Sequence, residues 1–162
     1  EIGIGSGCLI ISILKDRINC FGTGIDCCEK AIKIANFNAN LHQIQNRIKI
    51  LKTDVDNFNS GKYDLIISNP PYIDKHQLKY LDVNEYEPLQ ALDGGINGTE
   101  VLMKVILKAS QLLKINGKLI IEIGKNQKYK VIKFLNKNNF FVNKTVKDLS
   151  NLDRCIISTK LS

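Results

Sequence analysis

Apolar residues along this 162-residue chain recur in two rhythms, every three to four positions in some stretches and in short unbroken runs in others. The first rhythm belongs to helices with one buried face, the second to strands buried on both faces. Read in order, Cys8–Leu14 predicts a helix that begins after Gly7 and ends near Lys15-Asp16, and Cys20–Ile25 a short strand closing on Asp26. Between Cys28 and Leu41 the positions Cys28, Ala31, Ile32, Ala35 and Ala39 share one face of an amphipathic helix. Ile48–Leu51 predicts the next strand, with Thr53-Asp54-Val55 just past its end, and Leu65-Ile66-Ile67 the one after.

From Tyr72 to Gly98 no clear period is visible, and loops of such length in compact domains tend to be functional lids. A helix then begins near Asn97, with Glu100 completing a capping-box pattern and Val101, Leu102, Val105, Ile106, Ala109, Leu112 and Leu113 on its apolar face. Asn116-Gly117 turns the chain into the strand Lys118–Ile123, which stops at Gly124. A helix over about Gln127 to Asn138 follows, then strands Phe140–Val146 and Arg154–Thr159 joined through Asp148–Asn151. The order predicts an alternating α/β domain closed by a strand pair.

Length and composition fit one domain with a substantial core: 44% of residues are hydrophobic and 24% charged. No apolar run approaches a membrane span and no signal peptide is visible, so the expectation is a cytoplasmic module with no membrane partner. Five cysteines, none at Cys-x-x-Cys spacing, suggest neither a disulfide framework nor a zinc site, and His42 and His76 alone offer little for a metal. The net charge of +7 rests mostly on lysines spread along the chain, which reads as solvated surface. Lys125, Lys128, Lys130, Lys133 and Lys137 are the exception, a candidate basic surface that a helix face explains equally well.

Two stretches carry candidate chemistry. Glu1-Ile2-Gly3-Ile4-Gly5-Ser6-Gly7 reads as a strand end, a glycine loop and a helix start, where positive φ and outward-pointing amides let a ligand approach the backbone. Its Gly-x-Gly-x-Gly spacing departs from the form tied to pyrophosphate. Asp26 lies about 20 residues further on, the interval at which nucleoside-binding folds place a ribose-binding carboxylate. Its alternative role is to cap the helix that begins near Cys28, and the two roles are compatible. Asp54 can accept from an exocyclic amine.

The other stretch is Ser68-Asn69-Pro70-Pro71-Tyr72, directly after the run Leu65–Ile67. Two prolines cannot extend a sheet ladder, so the strand stops in a stiff corner at the end of a sheet, where open α/β folds bind ligands. The Asn69 side chain and the Pro70 carbonyl together can grip a planar NH2 group. Asn-Pro also simply starts turns, and alone that reading would prevail. Glu122, an acid inside a strand, is a further candidate to reach the site.

The strand that should precede the glycine loop would begin before Glu1, which leads to the expectation of a fragment of a longer chain: residues 1–162 as a catalytic domain with its first strand truncated. Over its whole length the chain resembles the peptide-chain release factor glutamine N5-methyltransferases. The resemblance is carried by Glu1–Gly7, Ile25-Asp26, Asn69–Tyr72, Tyr86-Glu87-Pro88, Asp93-Gly94-Gly95, Ile121–Gly124, and Asp148-Leu149 with Asp153-Arg154.

That resemblance implies a Rossmann-like class I methyltransferase fold, mostly parallel with an antiparallel last strand, that uses S-adenosyl-L-methionine. The implied substrate is the glutamine amide in the Gly-Gly-Gln loop of class I release factors, with nucleic acid not expected as substrate. Gly3, Ile4, Gly5, Ser6 and Gly7 would border the methionine part of the cofactor, Asp26 the ribose, and Asp54 and Val55 the adenine; Asn69 also borders the cofactor. Val55 stands where the family often has a larger aromatic, which implies weaker adenine stacking. Asn69 and Pro70 would orient the substrate amide, Tyr72 would pack on it, and Pro71 completes the corner. The family's helical N-terminal substrate domain has no counterpart in these residues. The alternatives are adenine N6-methylation on DNA or RNA, where the target base would be flipped out, glutamine methylation of a ribosomal protein, and a non-catalytic cofactor-binding fold.

Overall fold

In a computed structural model, residues 1–78 and 89–162 are described, and they form two compact units, Glu1–Asn59 and Ser60–Ser162. Tyr86-Glu87-Pro88 lies outside the described residues.

The first unit is built on α1 (Cys8–Asp16), β1 (Gly22–Asp26), α2 (Glu29–Leu41) and β2 (Ile48–Lys52). Strands β1 and β2 pair in parallel, from Gly22 opposite Ile48 to Asp26 opposite Lys52. On the other side of β1 the chain start runs parallel to it: Ile2 bridges Ile25, whose N–H donates to the Glu1 carbonyl and whose carbonyl receives the Gly3 and Ile4 amides. Helix α1 buries Ile10, Ile11 and Leu14, and α2 buries Ala35 and Ala39. The small residues in β1 allow this approach, since a β-carbon at Gly22 would lie 2.7 Å from Ile10 Cδ1.

The second unit contains β3 (Tyr63–Ser68), α3 (Lys75–Leu78), α4 (Glu100–Leu112), β4 (Leu113–Glu122), α5 (Lys128–Lys137), β5 (Phe140–Lys147) and β6 (Asp153–Lys160). Its sheet runs β3-β4-β6-β5. β3 and β4 are parallel, and β6 inserts antiparallel to both β4 and β5. The last strand in sequence is therefore the one that runs against the others, as expected. Its hydrogen-bond ladder places Ile156 opposite both Ile121 and Thr145, in the middle of the unit's core. Leu102, Val105, Ile106 and Ala109 of α4 and Val131 and Leu135 of α5 are all buried.

Two elements differ from their sequence-based expectation. β4 starts at Leu113, before Asn116-Gly117, because Asn116 takes a left-handed φ of 65° inside an irregular stretch: β3 advances from Tyr63 to Leu65 while its partner advances from Leu113 to Lys118. Helix α4 starts at Glu100 with Thr99 as its N-cap, and Glu100 reaches back to receive the Asn97 and Thr99 amides. Half of the expected capping box forms, with the acid at the first helical position because Gly98, at φ 68°, breaks the helix before it. The lysines 125–137 form no continuous free basic face, since Lys128 pairs with Asp153 and Lys130 donates to Thr99 Oγ1. Among the described residues no helix is long and apolar enough to cross a membrane.

Candidate functional site

The candidate residues fall into two sets, one in each unit. In the first unit they cluster at the carboxyl ends of the parallel strands, the ligand-binding edge of such sheets. Gly3, Gly5 and Gly7 all have positive φ, at 71°, 54° and 81°. This alternation makes a tight loop whose Gly7 amide returns to the Ile4 carbonyl at 2.8 Å and whose end becomes the N-cap of α1. A β-carbon at Gly3 or Gly5 would meet nothing within 4 Å, so that side of the loop stands open to an incoming molecule. Gly3 and Ser6 are exposed, whereas Ile4 turns its side chain into the core at 3% exposure and can contribute only backbone to a ligand.

Asp26 ends β1 and ties the set together. Its Oδ2 receives the Gly5 amide at 2.9 Å and its Oδ1 the Cys28 amide at 2.8 Å, the latter satisfying an amide at the start of α2. Both expected roles are thus compatible, because each carboxylate oxygen has a second lone pair free for a hydroxyl. The Asp26 carbonyl takes the Thr53 amide, which brings the end of β2 alongside. Asp54, exposed, receives the Asp56 amide in a local turn, and Val55 is half-buried beside it. An open glycine loop, a carboxylate at a strand end and a second acid just past the neighbouring strand offer backbone amides and carboxylate acceptors to a polar ligand at this edge.

One residue of this set, Asn38, escaped the sequence reading, and Glu1, at the head of the glycine-loop stretch, gains a structural role. Asn38 of α2 donates to the Ser6 carbonyl at 2.9 Å and so holds the far side of the loop. Glu1 receives the Ile10 amide, and burial pushes its carboxyl up to about 7. Asn38 had no local signal: an asparagine in the later part of a helix looks like any surface residue.

In the second unit, Asn69-Pro70-Pro71-Tyr72 leaves the end of β3. Asn69 is exposed and makes no hydrogen bond among the described residues, while Pro70 behind it is buried. The chain then becomes tightly held at Tyr72. Its hydroxyl donates to Glu122 Oε1 at 3.1 Å, so the strand acid reaches the Tyr72 side chain. Its carbonyl accepts from Gln127 Nε2 at 3.0 Å. The next residue, Ile73, bridges Asp93 and exchanges bonds with Leu92 and Gly94. Asp93-Gly94-Gly95, expected in a lid, instead forms the wall against which this loop rests. Asp148 pairs with Arg154 Nε at 2.8 Å, and that hydrogen bond, with the Leu152 and Ser150 amides, holds its carboxyl below the usual range.

Among known proteins, the family model for the methyltransferase small domain matches residues 1–85. A release factor glutamine methyltransferase from Fusobacterium nucleatum is 39% identical over 99% of this chain and 46% of its own length. A ribosomal protein uL3 glutamine methyltransferase from Francisella tularensis is 38% identical over 78% of this chain and 41% of its own. The chain thus spans less than half the length of either relative. Among solved structures, the ribosomal protein L11 methylase from Lactobacillus delbrueckii subsp. bulgaricus superposes with a TM-score of 0.74 at 21% identity, over 99% of this chain and 68% of that one, which shows the fold.

Proposed function

We propose, from the premise that the chain belongs to the methyltransferase small domain family, that it is the catalytic part of an S-adenosyl-L-methionine-dependent enzyme methylating a glutamine side-chain amide. The substrate we assign is the Gly-Gly-Gln glutamine of class I release factors. The observation that carries this reading is Asn69: an exposed carboxamide with no hydrogen bond among the described residues, set before a buried proline at a strand end and three residues from a firmly held tyrosine. The 39% identity to a release factor glutamine methyltransferase supports the choice of substrate.

When bound, S-adenosyl-L-methionine supplies a methyl already activated on a sulfonium. The residues of this chain have the remaining tasks of holding and aiming. Gly3–Gly7 offers backbone amides and room for close approach, Asp26 accepts from ribose hydroxyls, and Asp54 with Val55 receives the base. An amide nitrogen is a poor nucleophile because its lone pair is delocalised. Asn69 Oδ1 and the Pro70 carbonyl accept its two N–H bonds, which orients the nitrogen and favours the positive charge it develops as the carbon–nitrogen bond forms. The methyl's carbon–sulfur bond would break as the carbon–nitrogen bond forms, leaving a neutral thioether, and one of those protons would leave to solvent to restore a neutral, methylated amide.

The uL3 relative supports a second reading in which the acceptor is a ribosomal-protein glutamine. Both are tested by incubating the purified protein with S-adenosylmethionine labelled in its methyl and offering release factor, ribosomal protein uL3 and nucleic acid together. Label in the release-factor glutamine is expected, and label in the ribosomal protein would favour the second reading. Label in adenine, or cofactor binding without any transfer, would overturn both.

A further inference from the structure

Gln127 is the N-cap of α5, and its side chain is fully occupied without capping that helix. Its Oε1 receives the Gly124 amide at 2.8 Å, and its Nε2 donates to the Tyr72 carbonyl at 3.0 Å and the Gly98 carbonyl at 2.9 Å. The partners fix the orientation of the carboxamide, since one is a donor and two are acceptors. They also come from three separate segments: the corner after β3, the turn before α4 and the end of β4.

Three glycines bring those segments within reach. A β-carbon at Gly98 would sit 2.6 Å from the Tyr72 oxygen, one at Gly94 2.8 Å from the Tyr72 Cα, and one at Gly124 3.0 Å from the Tyr72 ring. The backbone of Tyr72 is therefore closely packed, and Gln127 bonds it together with Gly98 and Gly124. Asn69, three residues earlier, makes no hydrogen bond among the described residues, and the hold on Tyr72 is the anchor that follows it in the chain.

We infer that Gln127 is a positioning residue for the amide-gripping corner, acting through the Tyr72 carbonyl; its catalytic consequence rests on the glutamine-methylation reading above. Gln127→Glu is the discriminating substitution. It keeps the shape and the acceptor for Gly124 but turns an oxygen toward two carbonyls, removing both donor bonds. Gln127→Ala removes all three.

Hydrogen exchange and kinetics on the full protein test this together. In both variants the Ile73 and Gly94 amides, bonded to Leu92 and to Ile73, are expected to exchange at least about tenfold faster, with the β5–β6 ladder unchanged. With release factor as substrate, kcat is expected to fall about tenfold or more while both KM values stay within about twofold. A merely structural role would lower the unfolding midpoint and leave kcat per folded molecule intact, which overturns the inference. Wild-type exchange at Ile73 and Gly94 in Gln127→Glu overturns it as well. If the wild-type protein methylates no glutamine, the functional reading fails, and the exchange result alone still decides whether Gln127 holds this corner.

Discussion

Replacing Gly94 by alanine isolates the steric side of this construction, because Gly94 does not have a left-handed φ and the new methyl brings no backbone strain. The added carbon would lie 2.7 Å from the Gly98 oxygen, 2.8 Å from the Tyr72 Cα and 2.9 Å from the Gly98 carbonyl carbon. Carbon atoms rest about 3.5 Å or more apart, so Tyr72 or Gly94 must withdraw by roughly 0.7 Å. All the atoms met are backbone, and none can swing aside as a side-chain tip would. Overpacking of this kind costs about 1–3 kcal/mol. The withdrawal also strains the bond from Gln127 to the Tyr72 carbonyl, worth about 0.5–1.5 kcal/mol. The total, about 1.5–4.5 kcal/mol, lowers the urea midpoint by roughly 1–2 M at an ordinary m-value. Urea unfolding followed by far-ultraviolet dichroism measures that shift, and single-turnover methyl transfer measures its catalytic counterpart, expected to fall at least about tenfold. A midpoint within about 0.3 M of wild type, with normal turnover, would refute the close packing around Tyr72 as the device that aims Asn69.

Other outcomes follow from single residues. Asn69→Ala should nearly abolish methyl transfer with stability within about 0.5 kcal/mol of wild type, since the side chain is exposed and makes no hydrogen bond among the described residues; retained turnover would remove Asn69 from the mechanism. Asp26→Ala deprives the Gly5 and Cys28 amides of their acceptor, and calorimetry should find cofactor affinity reduced at least about tenfold; an unchanged dissociation constant would remove Asp26 from the binding site. Asp148 has a carboxyl lowered by Arg154 and by the Leu152 and Ser150 amides. A lowered carboxylate stabilises the fold above its unfolded pKa and loses that contribution as pH falls through the folded value. The difference in urea midpoint between wild type and Arg154→Ala should therefore be full at pH 7 and shrink below about pH 4; a difference independent of pH would show that the ion pair is not its source.

The order and kind of nearly every element were legible in the sequence because they are local properties. Ala35 and Ala39 fall on one helical face by spacing alone, and Gly3, Gly5 and Gly7 announce a loop of positive φ because each is a glycine at a strand-to-helix junction. The chemistry-bearing candidates Asp26, Asp54 and Asn69 were marked by standing just past runs of strand-forming residues, where ladders end. Asn116 misled for the same local reason: its dipeptide signals a turn, and only the pairing with β3 decides that the strand continues through it. Tertiary structure decided what pairs across distance. Tyr72 meets Glu122 and Gln127 across separations of 50 and 55 residues, and β6 enters between β4 and β5 although it is last in the chain. No periodicity encodes such contacts, because they arise when buried backbone groups from distant segments must satisfy one another. The sequence by itself marked the candidates for chemistry, because strand ends and glycine loops are local signals, whereas the folded chain alone decided that a glutamine at a helix cap would bond the Tyr72 and Gly98 carbonyls.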